Sequence, residues 1–361
     1  MREYKLSISL VLLTVFILFL TFACNDDCPN CPTCPELDND YLFYIGAYVS
    51  GIDPIKVYSV NQQAYIDSFD LGIGFEEMAV IGHDEYIAVA SNQGFRMMDL
   101  KTKEIVHENE NWNKVRVSRD SRYMATFNQV EDRIEIYSFP GFDLVYFDTI
   151  QPPVYGWMGR FSNDSRYHTY LRQTAEPEPA SLLVTYDIAG DSILYITSKH
   201  YNDYPLFIYD QWPVVSKNKV FLYCTLGANH YLCVSDLGTE TVRILEQKSP
   251  FAVYDMIVSP DDKYLYFTAA PTTASAPYRN MVEVFDVESE QLIAEIPTST
   301  ETWTHEPDRM AISWDGRYLL STTCWMGYPN ALLMDARFFV SLTDIDFAYQ
   351  TNPRIVACRQ E

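Results

Sequence analysis

The phrase RVSRDSRYMATF at residues 116–127 returns as RFSNDSRYHTYL at 160–171, IVSPDDKYLYFT at 257–268 and AISWDGRYLLST at 311–322. Each copy joins an apolar segment to a polar turn, followed by a basic residue and a tyrosine. Repeats at intervals of about 40–50 residues are typical of propellers and solenoids, in which each unit buries its apolar face only against its neighbours. The repeat therefore predicts a ring or stack of similar units.

The sequence that follows each copy of the phrase favours the four-stranded blade of a β-propeller. A further strand pattern, a polar turn and a fourth strand follow each copy. The aligned serines are Ser118, Ser162, Ser216, Ser259 and Ser313, with Ile81 at the same position upstream. An aspartate recurs before the last turn of the blade, at Asp99, Asp187, Asp236, Asp286 and Asp335. We expect these carboxylates to cap that turn.

The two ends of the chain are predicted to complete one blade. Residues 41–70 fit three strands of a seventh blade that lacks its innermost strand. Residues 353–358 align with 308–313, so the last strand is expected to fill that place and remove both free edges. With 48% hydrophobic and 15% aromatic residues, the chain can build a large core. We predict an all-β, seven-bladed propeller over 41–361, after a signal peptide (1–23) and a tether (24–40).

The pattern S-x-D-[GSD]-[KR]-Y resembles the repeats of bacterial YVTN-type and TolB-like (WD40-like) propellers, and the resemblance covers nearly all of 41–358. It implies an extracytoplasmic, seven-bladed propeller lipoprotein. Propellers of this kind include lyases, lactonase-like enzymes, dehydrogenase subunits and plain binding scaffolds. The resemblance therefore indicates the fold and leaves the activity open.

The N-terminus, MREYKLSISLVLLTVFILFLTFAC, resembles a bacterial lipoprotein signal. Arg2 and Lys5 precede an apolar stretch, and Cys24 is the expected site of lipidation. Bulky Phe22 stands where the usual pattern has a small residue, so an uncleaved membrane anchor remains the alternative. Either way the rest of the chain is predicted to lie outside the cytoplasm. We expect a cell-envelope protein anchored by lipid to the outer membrane, either periplasmic or surface-exposed.

The predicted tether, CNDDCPNCPTCPELDND, carries Cys28, Cys31 and Cys34, each followed by proline. The C-x2-C-x2-C spacing invites a metal interpretation, but zinc and iron–sulfur sites need four ligands, and lipidation would consume Cys24. The prolines favour an extended chain. We therefore predict a semi-rigid linker without a metal, whose thiols pair with each other or with another chain.

The net charge of −23 argues against one class of function. A nucleic-acid-binding protein needs a basic stripe that replaces condensed counterions, and the sequence has no cluster of lysine and arginine. We expect no nucleic-acid partner and no cofactor. The predicted partners are the membrane, through lipidated Cys24, and an envelope protein or glycan.

The longest loops, including 198–212, 269–280 and 298–308, are all expected on one face of the propeller, where function usually lies. Charged and aromatic residues also recur at, or beside, the position four before each aligned serine, where the innermost strands begin. We predict a polar ligand site at the channel mouth, formed by Glu77, Lys114, Trp157, Trp212, Asp255, His305, Arg309 and Arg354. The alternative is that these groups only line a wet channel.

Two functional hypotheses follow. The first is a binding scaffold that uses the long loops. The second is a lyase or hydrolase at the channel mouth, with His305, Glu306, Asp255 and Arg309 as catalytic candidates. The sequence contains no G-x-S-x-G, no H-E-x-x-H, no phosphate-binding glycine loop and no EF-hand loop, which favours the scaffold.

One structural bond is also predicted. In FLYCTLGANHYLCVSD, a two-residue turn at Ala228 and Asn229 would place Cys224 directly opposite Cys233 on paired strands. In an oxidising compartment this pair is expected to form a disulfide.

Overall fold

The computed structural model describes residues 41–48, 54–74, 77–82, 85–150, 157–174, 180–197, 207–208, 213–226, 229–239, 242–247, 251–271, 281–297, 307–323, 330–346 and 352–360. The chain divides into two units, Met1–Asn39 and Asp40–Glu361, and the described residues all belong to the second. The predicted signal peptide, Cys24 and the tether cysteines therefore lie outside the described residues.

The described residues form strands in seven antiparallel sheets, with no helix among them. We call each sheet a blade and letter its strands A to D from the inside outwards. Blade 1 contains β1 (Tyr41–Tyr48), β2 (Ile55–Ser59) and β3 (Ala64–Phe69). Blade 2 contains β4 (Glu77–Ile81), β5 (Tyr86–Ser91), β6 (Gly94–Asp99) and β7 (Ile105–Asn109). Blade 3 contains β8 (Trp112–Val117), β9 (Tyr123–Asn128), β10 (Arg133–Ser138) and β11 (Leu144–Thr149).

Blade 4 contains β12 (Trp157–Phe161), β13 (Tyr167–Thr174), β14 (Ala180–Asp187) and β15 (Ser192–Thr197). Blade 5 contains β16 (Phe207–Ile208), β17 (Val214–Ser216), β18 (Lys219–Leu226), β19 (Asn229–Asp236) and β20 (Val242–Gln247). Blade 6 contains β21 (Phe251–Val258), β22 (Tyr264–Pro271), β23 (Met281–Asp286) and β24 (Gln291–Pro297). Blade 7 contains β25 (Pro307–Ile312), β26 (Tyr318–Thr323), β27 (Asn330–Asp335) and β28 (Val340–Asp346), and the chain ends with β29 (Asn352–Gln360).

The last strand closes the ring. Strand β29 pairs with β1 in antiparallel register, from Tyr41 opposite Gln360 to Tyr48 opposite Asn352, and so becomes the A strand of blade 1. The A strands of successive blades contact one another all the way round. The predicted all-β, seven-bladed propeller, closed by its C-terminal strand, is confirmed.

The hydrophobic core lies between the blades. Each interface between two neighbouring blades has its own cluster of buried side chains. Between blades 7 and 1, for example, Leu320 packs with Phe43, and both are fully buried. This arrangement explains the repeat, because each blade must present apolar side chains on both of its faces.

The recurring phrase forms the turn between strands A and B. In blade 3 the Ser118 hydroxyl donates to Asp120 Oδ1 at 2.8 Å and accepts the Tyr123 backbone N–H at 2.9 Å. The same pair of bonds recurs at Ser162, Ser259 and Ser313. The residue after the aspartate has a positive φ, for instance 57° at Ser121, which explains why this position takes serine, aspartate or glycine.

The recurring aspartate before the C–D turn has the predicted capping role in four blades. Its carboxylate accepts backbone N–H groups of that turn at 2.7 to 3.0 Å. The four are Asp99, Asp187, Asp286 and Asp335. In blade 5, where residues 240–241 of the turn lie outside the described residues, Asp236 accepts a bond from the Arg243 guanidinium at 3.4 Å.

The predicted placement of Cys224 opposite Cys233 is wrong. Leu226 pairs with Asn229, so the two-residue loop falls one residue earlier than expected. Cys224 then lies opposite Tyr231, and Leu222 lies opposite Cys233. Cys233 is a buried free thiol, and this register gives no support to the disulfide.

Candidate functional site

Bulges shape the A strands near the predicted channel mouth. The register shifts between Trp112 and Val115 in blade 3 and at the corresponding places in blades 6 and 7. In blade 4 the shift lies two residues further along, between Met158 and Phe161. In blade 4 the bulge brings the backbone so close that a Cβ on Gly159 would lie 2.1 Å from the Thr169 carbonyl oxygen. Such bulges re-aim side chains at the end of a strand, which places the mouth residues outside the regular alternation.

Glu77, one of the predicted ligand-binding residues, ties blade 2 to blade 3. It is 4% exposed. Its Oε2 accepts the Val115 backbone N–H at 3.0 Å and an Arg116 N–H at 2.5 Å, while Oε1 accepts a second Arg116 N–H at 2.9 Å. Lys114, also predicted at the mouth, has its ammonium 4.0 Å from Oε1. The Glu77 carboxylate thus accepts hydrogen bonds from both the backbone and the Arg116 guanidinium of blade 3.

Asp255 has the equivalent place in blade 6 and is 1% exposed. Its Oδ2 accepts the Met310 backbone N–H of blade 7 at 2.8 Å, and Oδ1 accepts the Met256 N–H at 2.9 Å. Arg160 of blade 4 donates to both oxygens at 2.8 and 3.1 Å. Asp255 therefore connects three blades across the channel.

Arg116 and Arg160 are functional candidates that the sequence analysis missed. They occupy corresponding positions, two before the aligned serine, and their side chains are 12% and 23% exposed. The available signal was a comparison between blades, because the same position carries Ala79, Val214 or Ile257 elsewhere in the ring. An arginine in an otherwise apolar inner strand marks a polar part of the channel wall.

The channel contains a cavity of about 160 Å³ next to these two arginines. Its polar lining comes from blades 3 and 4, as Arg116, Arg119, Arg160 and Asn163. The described lining residues of blades 5, 6 and 7 are all apolar and include Val214, Ile257 and Ile312. The cavity therefore has a basic side and an apolar side.

At the end of the channel formed by the A–B turns, two polar bridges cross between blades. Arg119 donates to the Trp314 carbonyl of blade 7, and its guanidinium lies 5.1 Å from the indole centre. Asn163 donates to Asp262 Oδ1 at 2.9 Å, and that oxygen also accepts the Ser216 hydroxyl at 2.9 Å. Burial lowers the pKa of Arg119 and raises that of Asp262.

A buried histidine stands behind the cavity wall. His168 is fully buried on β13, and its ring centre is 4.5 Å from that of Phe161, a lining residue. Neither of its ring nitrogens has a hydrogen-bond partner among the described residues. Burial, together with the positive charge of Arg116, lowers the pKa of His168 to about 3. His168 is therefore held in its neutral form.

The remaining predicted site residues stay predictions. Trp157, Arg309 and Arg354 belong to strands β12, β25 and β29, but their side chains lie outside what the structure describes, and Trp212, His305 and Glu306 lie outside the described residues altogether. Within the described ranges no group of three histidine, cysteine or carboxylate side chains could hold a metal ion. The same ranges contain no helix long and apolar enough to cross a membrane.

The fold and the channel define a seven-bladed β-propeller with a partly basic central cavity. No protein-family model matches this sequence, and no curated protein matches it. Solved structures do resemble it. AztD from Citrobacter koseri is 12% identical, with a TM-score of 0.58 over 90% of this chain and 98% of that one.

A functionally unknown protein from Desulfotomaculum acetoxidans is 12% identical, with a TM-score of 0.56 over 89% of this chain and 99% of that one. TolB from Acinetobacter baumannii is 14% identical, with a TM-score of 0.50 over 88% and 82% of the two chains. At such identities the likeness shows the propeller fold alone.

Proposed function

We propose that this protein is a lipid-anchored, extracytoplasmic binding module that recognises an envelope protein or a glycan with the loops on one face of its propeller. The observation that carries the proposal is the unequal length of the connections on the two faces. The A–B and C–D turns lie on one face and none is longer than five residues. The opposite face carries the long connections 198–206, 272–280 and 298–306.

This asymmetry favours recognition because a closed ring is a rigid platform. Its cores and turns are fixed by inter-blade packing, so extra chain on one face is free to vary for binding. The proposal includes a lipid anchor because the N-terminal sequence resembles a lipoprotein signal. A lipidated Cys24 followed by a proline-rich tether would hold the propeller away from the membrane.

The contacts of Asp255 favour the binding function over the enzyme alternative. Both oxygens of Asp255 accept hydrogen bonds from backbone N–H groups and from Arg160. A reaction at this carboxylate would have to give up hydrogen bonds that join blades 4, 6 and 7. Asp255 is therefore suited to holding the ring together, and the binding function requires no such group to react.

The test is site-specific photo-crosslinking on intact cells, with the reactive residue in place of Tyr201 or Trp303 in the long loops. The matched control carries it in place of Phe338, which is 69% exposed in a C–D turn of the opposite face. We expect the same protein or glycan to be captured from both loops and not from position 338. Equal capture at all three positions, or none, contradicts recognition by the loops.

The anchor is tested separately by metabolic labelling with an alkyne fatty acid. The natural chain should incorporate the label and remain with the membrane. The Cys24→Ser variant should incorporate none. A labelled Cys24→Ser variant contradicts lipidation at this cysteine, whatever the result of the crosslinking.

A further inference from the structure

The channel cavity has chemistry of its own, separate from the loops. We infer that it binds a small amphipathic carboxylate, with the carboxylate against Arg116 and Arg160 and the apolar part against blades 5 to 7. Such a site is distinct from the proposed recognition by the long loops, because the described residues that line the cavity belong to the inner strands and the A–B turns.

The basic side of the cavity is preorganised for an anion. Arg116 is held through two of its nitrogens by Glu77, and Arg160 is held by both oxygens of Asp255. The two-nitrogen contact fixes the plane of the Arg116 guanidinium, and Asp255 restrains Arg160 through one nitrogen, so a ligand has less side-chain motion to order. The described cavity wall carries three guanidiniums and an amide but no carboxylate, and planar arginine donors match the geometry of a carboxylate.

The apolar side determines the rest of the ligand. Val214, Ile257 and Ile312 face the cavity from three successive blades, opposite the arginines in the ring. The described side chains of this surface offer no polar group to a sugar hydroxyl, whereas they would bury an aliphatic or aromatic chain. A cavity of about 150 Å³ accommodates a molecule of the size of benzene, so the 160 Å³ found in this channel suits an acid such as hexanoate or benzoate.

The inference is tested by calorimetric titration of the full-length lipidated protein in lipid nanodiscs, with empty nanodiscs as the blank. Hexanoate is the probe, hexanamide is its neutral counterpart, and acetate carries the carboxylate without the chain. We expect saturable binding of one hexanoate per protein. Hexanamide should bind at least about tenfold more weakly because it lacks the charge-assisted hydrogen bonds. Acetate should also bind at least about tenfold more weakly than hexanoate, because it lacks the four methylenes that the apolar side of the cavity would bury.

Three variants locate the site. Arg160→Gln should weaken hexanoate binding by about tenfold or more, whereas Arg122→Gln, an identical change at a side chain that is 64% exposed in an A–B turn, should leave it unchanged. Ile312→Trp fills the apolar side without touching either ion pair and should abolish binding. It decides the question if Arg160→Gln fails to fold.

Several results would overturn the inference. One is the absence of saturable hexanoate binding to the folded natural protein at 10 mM probe. Another is equal affinity for hexanoate and hexanamide, which would remove the role of the arginines. Undiminished binding by a folded Ile312→Trp variant would place hexanoate outside the cavity.

Discussion

His168 occupies a position that five other blades fill with an apolar residue, namely Ile87, Met124, Leu222, Leu265 and Leu319. It is as fully buried as they are, but it brings two ring nitrogens without partners among the described residues. An unsatisfied polar group in the core costs about 1–3 kcal/mol. Replacing His168 with leucine should therefore raise the free energy of unfolding by about 2 kcal/mol at pH 8.

The stability advantage of the leucine variant should increase at acidic pH. The pKa of His168 is about 3 in the folded protein against 6.5 for the free side chain. Between these values the unfolded chain binds the proton and the folded protein does not, so stability falls as the pH drops below 6.5 and levels off below 3. At pH 4 this loss amounts to about 3 kcal/mol. The leucine variant has no such proton to bind, so its advantage should rise to about 5 kcal/mol at pH 4.

The measurement is the melting temperature of both proteins by calorimetry from pH 4 to pH 8. For a domain of about 320 residues, a gain of 1 kcal/mol raises the melting temperature by about 1.5 °C. The matched control is Met124→His, which installs the same histidine at the equivalent position of blade 3 and should create the acid sensitivity there. An unchanged melting temperature of His168→Leu at pH 8, with the same pH slope as the natural protein, would refute the assignment of His168 as an unsatisfied, neutral side chain.

Four further predictions concern the architecture, and each is checked by the melting temperature of the variant. Gly159→Ala should destabilise the protein by about 3 kcal/mol, because the added Cβ would meet the Thr169 carbonyl, whereas Gly141→Ala, whose nearest neighbour is a flexible side chain, should change little. Asp255→Ala should cost about 3–5 kcal/mol because it leaves Arg160 and the Met310 N–H without their buried acceptor. Arg243 and Lys219 lower the pKa of Glu290 to about 2, so Glu290 stabilises the fold at pH values above its ordinary pKa of 4.5. That contribution is lost as the pH falls from 4.5 to 2, and Glu290→Gln should flatten the pH dependence in this window. Deletion of 353–361 should lower the melting temperature of the whole ring, because blade 1 loses its inner strand; an unchanged value would contradict closure by β29.

The architecture was readable in the sequence because the information that defines it is local. In four blades the serine and aspartate of the A–B turn bond within six residues of each other, as Ser118 does with Asp120 and Tyr123. These four copies lie at similar intervals, so a weak copy such as SKNKVFLYC in blade 5 is identified by its place between them. Closure by the C-terminal strand followed from the same pattern. The first blade lacks an inner strand in residues 41–70, and residues 353–358 at the end of the chain match the pattern of an inner strand.

The register predicted for the hairpin of β18 and β19 was wrong, and the physical reason for the true register is also local. The sequence FLYCTLGANHYLC offers several two-residue turns, and the structure uses the one that contains Gly227. Glycine is favoured in such turns because tight hairpins require positive φ angles. Moving the turn by one residue slides the paired strands by two, which separates Cys224 from Cys233. The position of the glycine is therefore a better indicator of the register of this hairpin than the presence of two cysteines.

The site was harder to predict because its contacts join distant parts of the chain. Arg160 and Asp255 are 95 residues apart, and Glu77 and Arg116 are 39 apart. No periodicity within a blade reveals such pairs. The sequence did identify both carboxylates as residues of the channel mouth, but it could not show that each one already has partners. It did not identify Arg116 and Arg160, which those carboxylates orient and which supply two of the four polar side chains of the cavity wall.

The bulges explain why the two carboxylates are there at all. A bulge interrupts the ladder, and the buried backbone N–H groups beside it need other acceptors. Glu77 bonds the N–H of Val115, at the end of the bulge in blade 3, and Asp255 bonds that of Met310, at the end of the bulge in blade 7. In both cases the acid stands four residues before the aligned position of the preceding blade. An acidic residue at that position is therefore best interpreted as an inter-blade tie, and a ligand of the channel is to be sought at the arginines two residues before the serine.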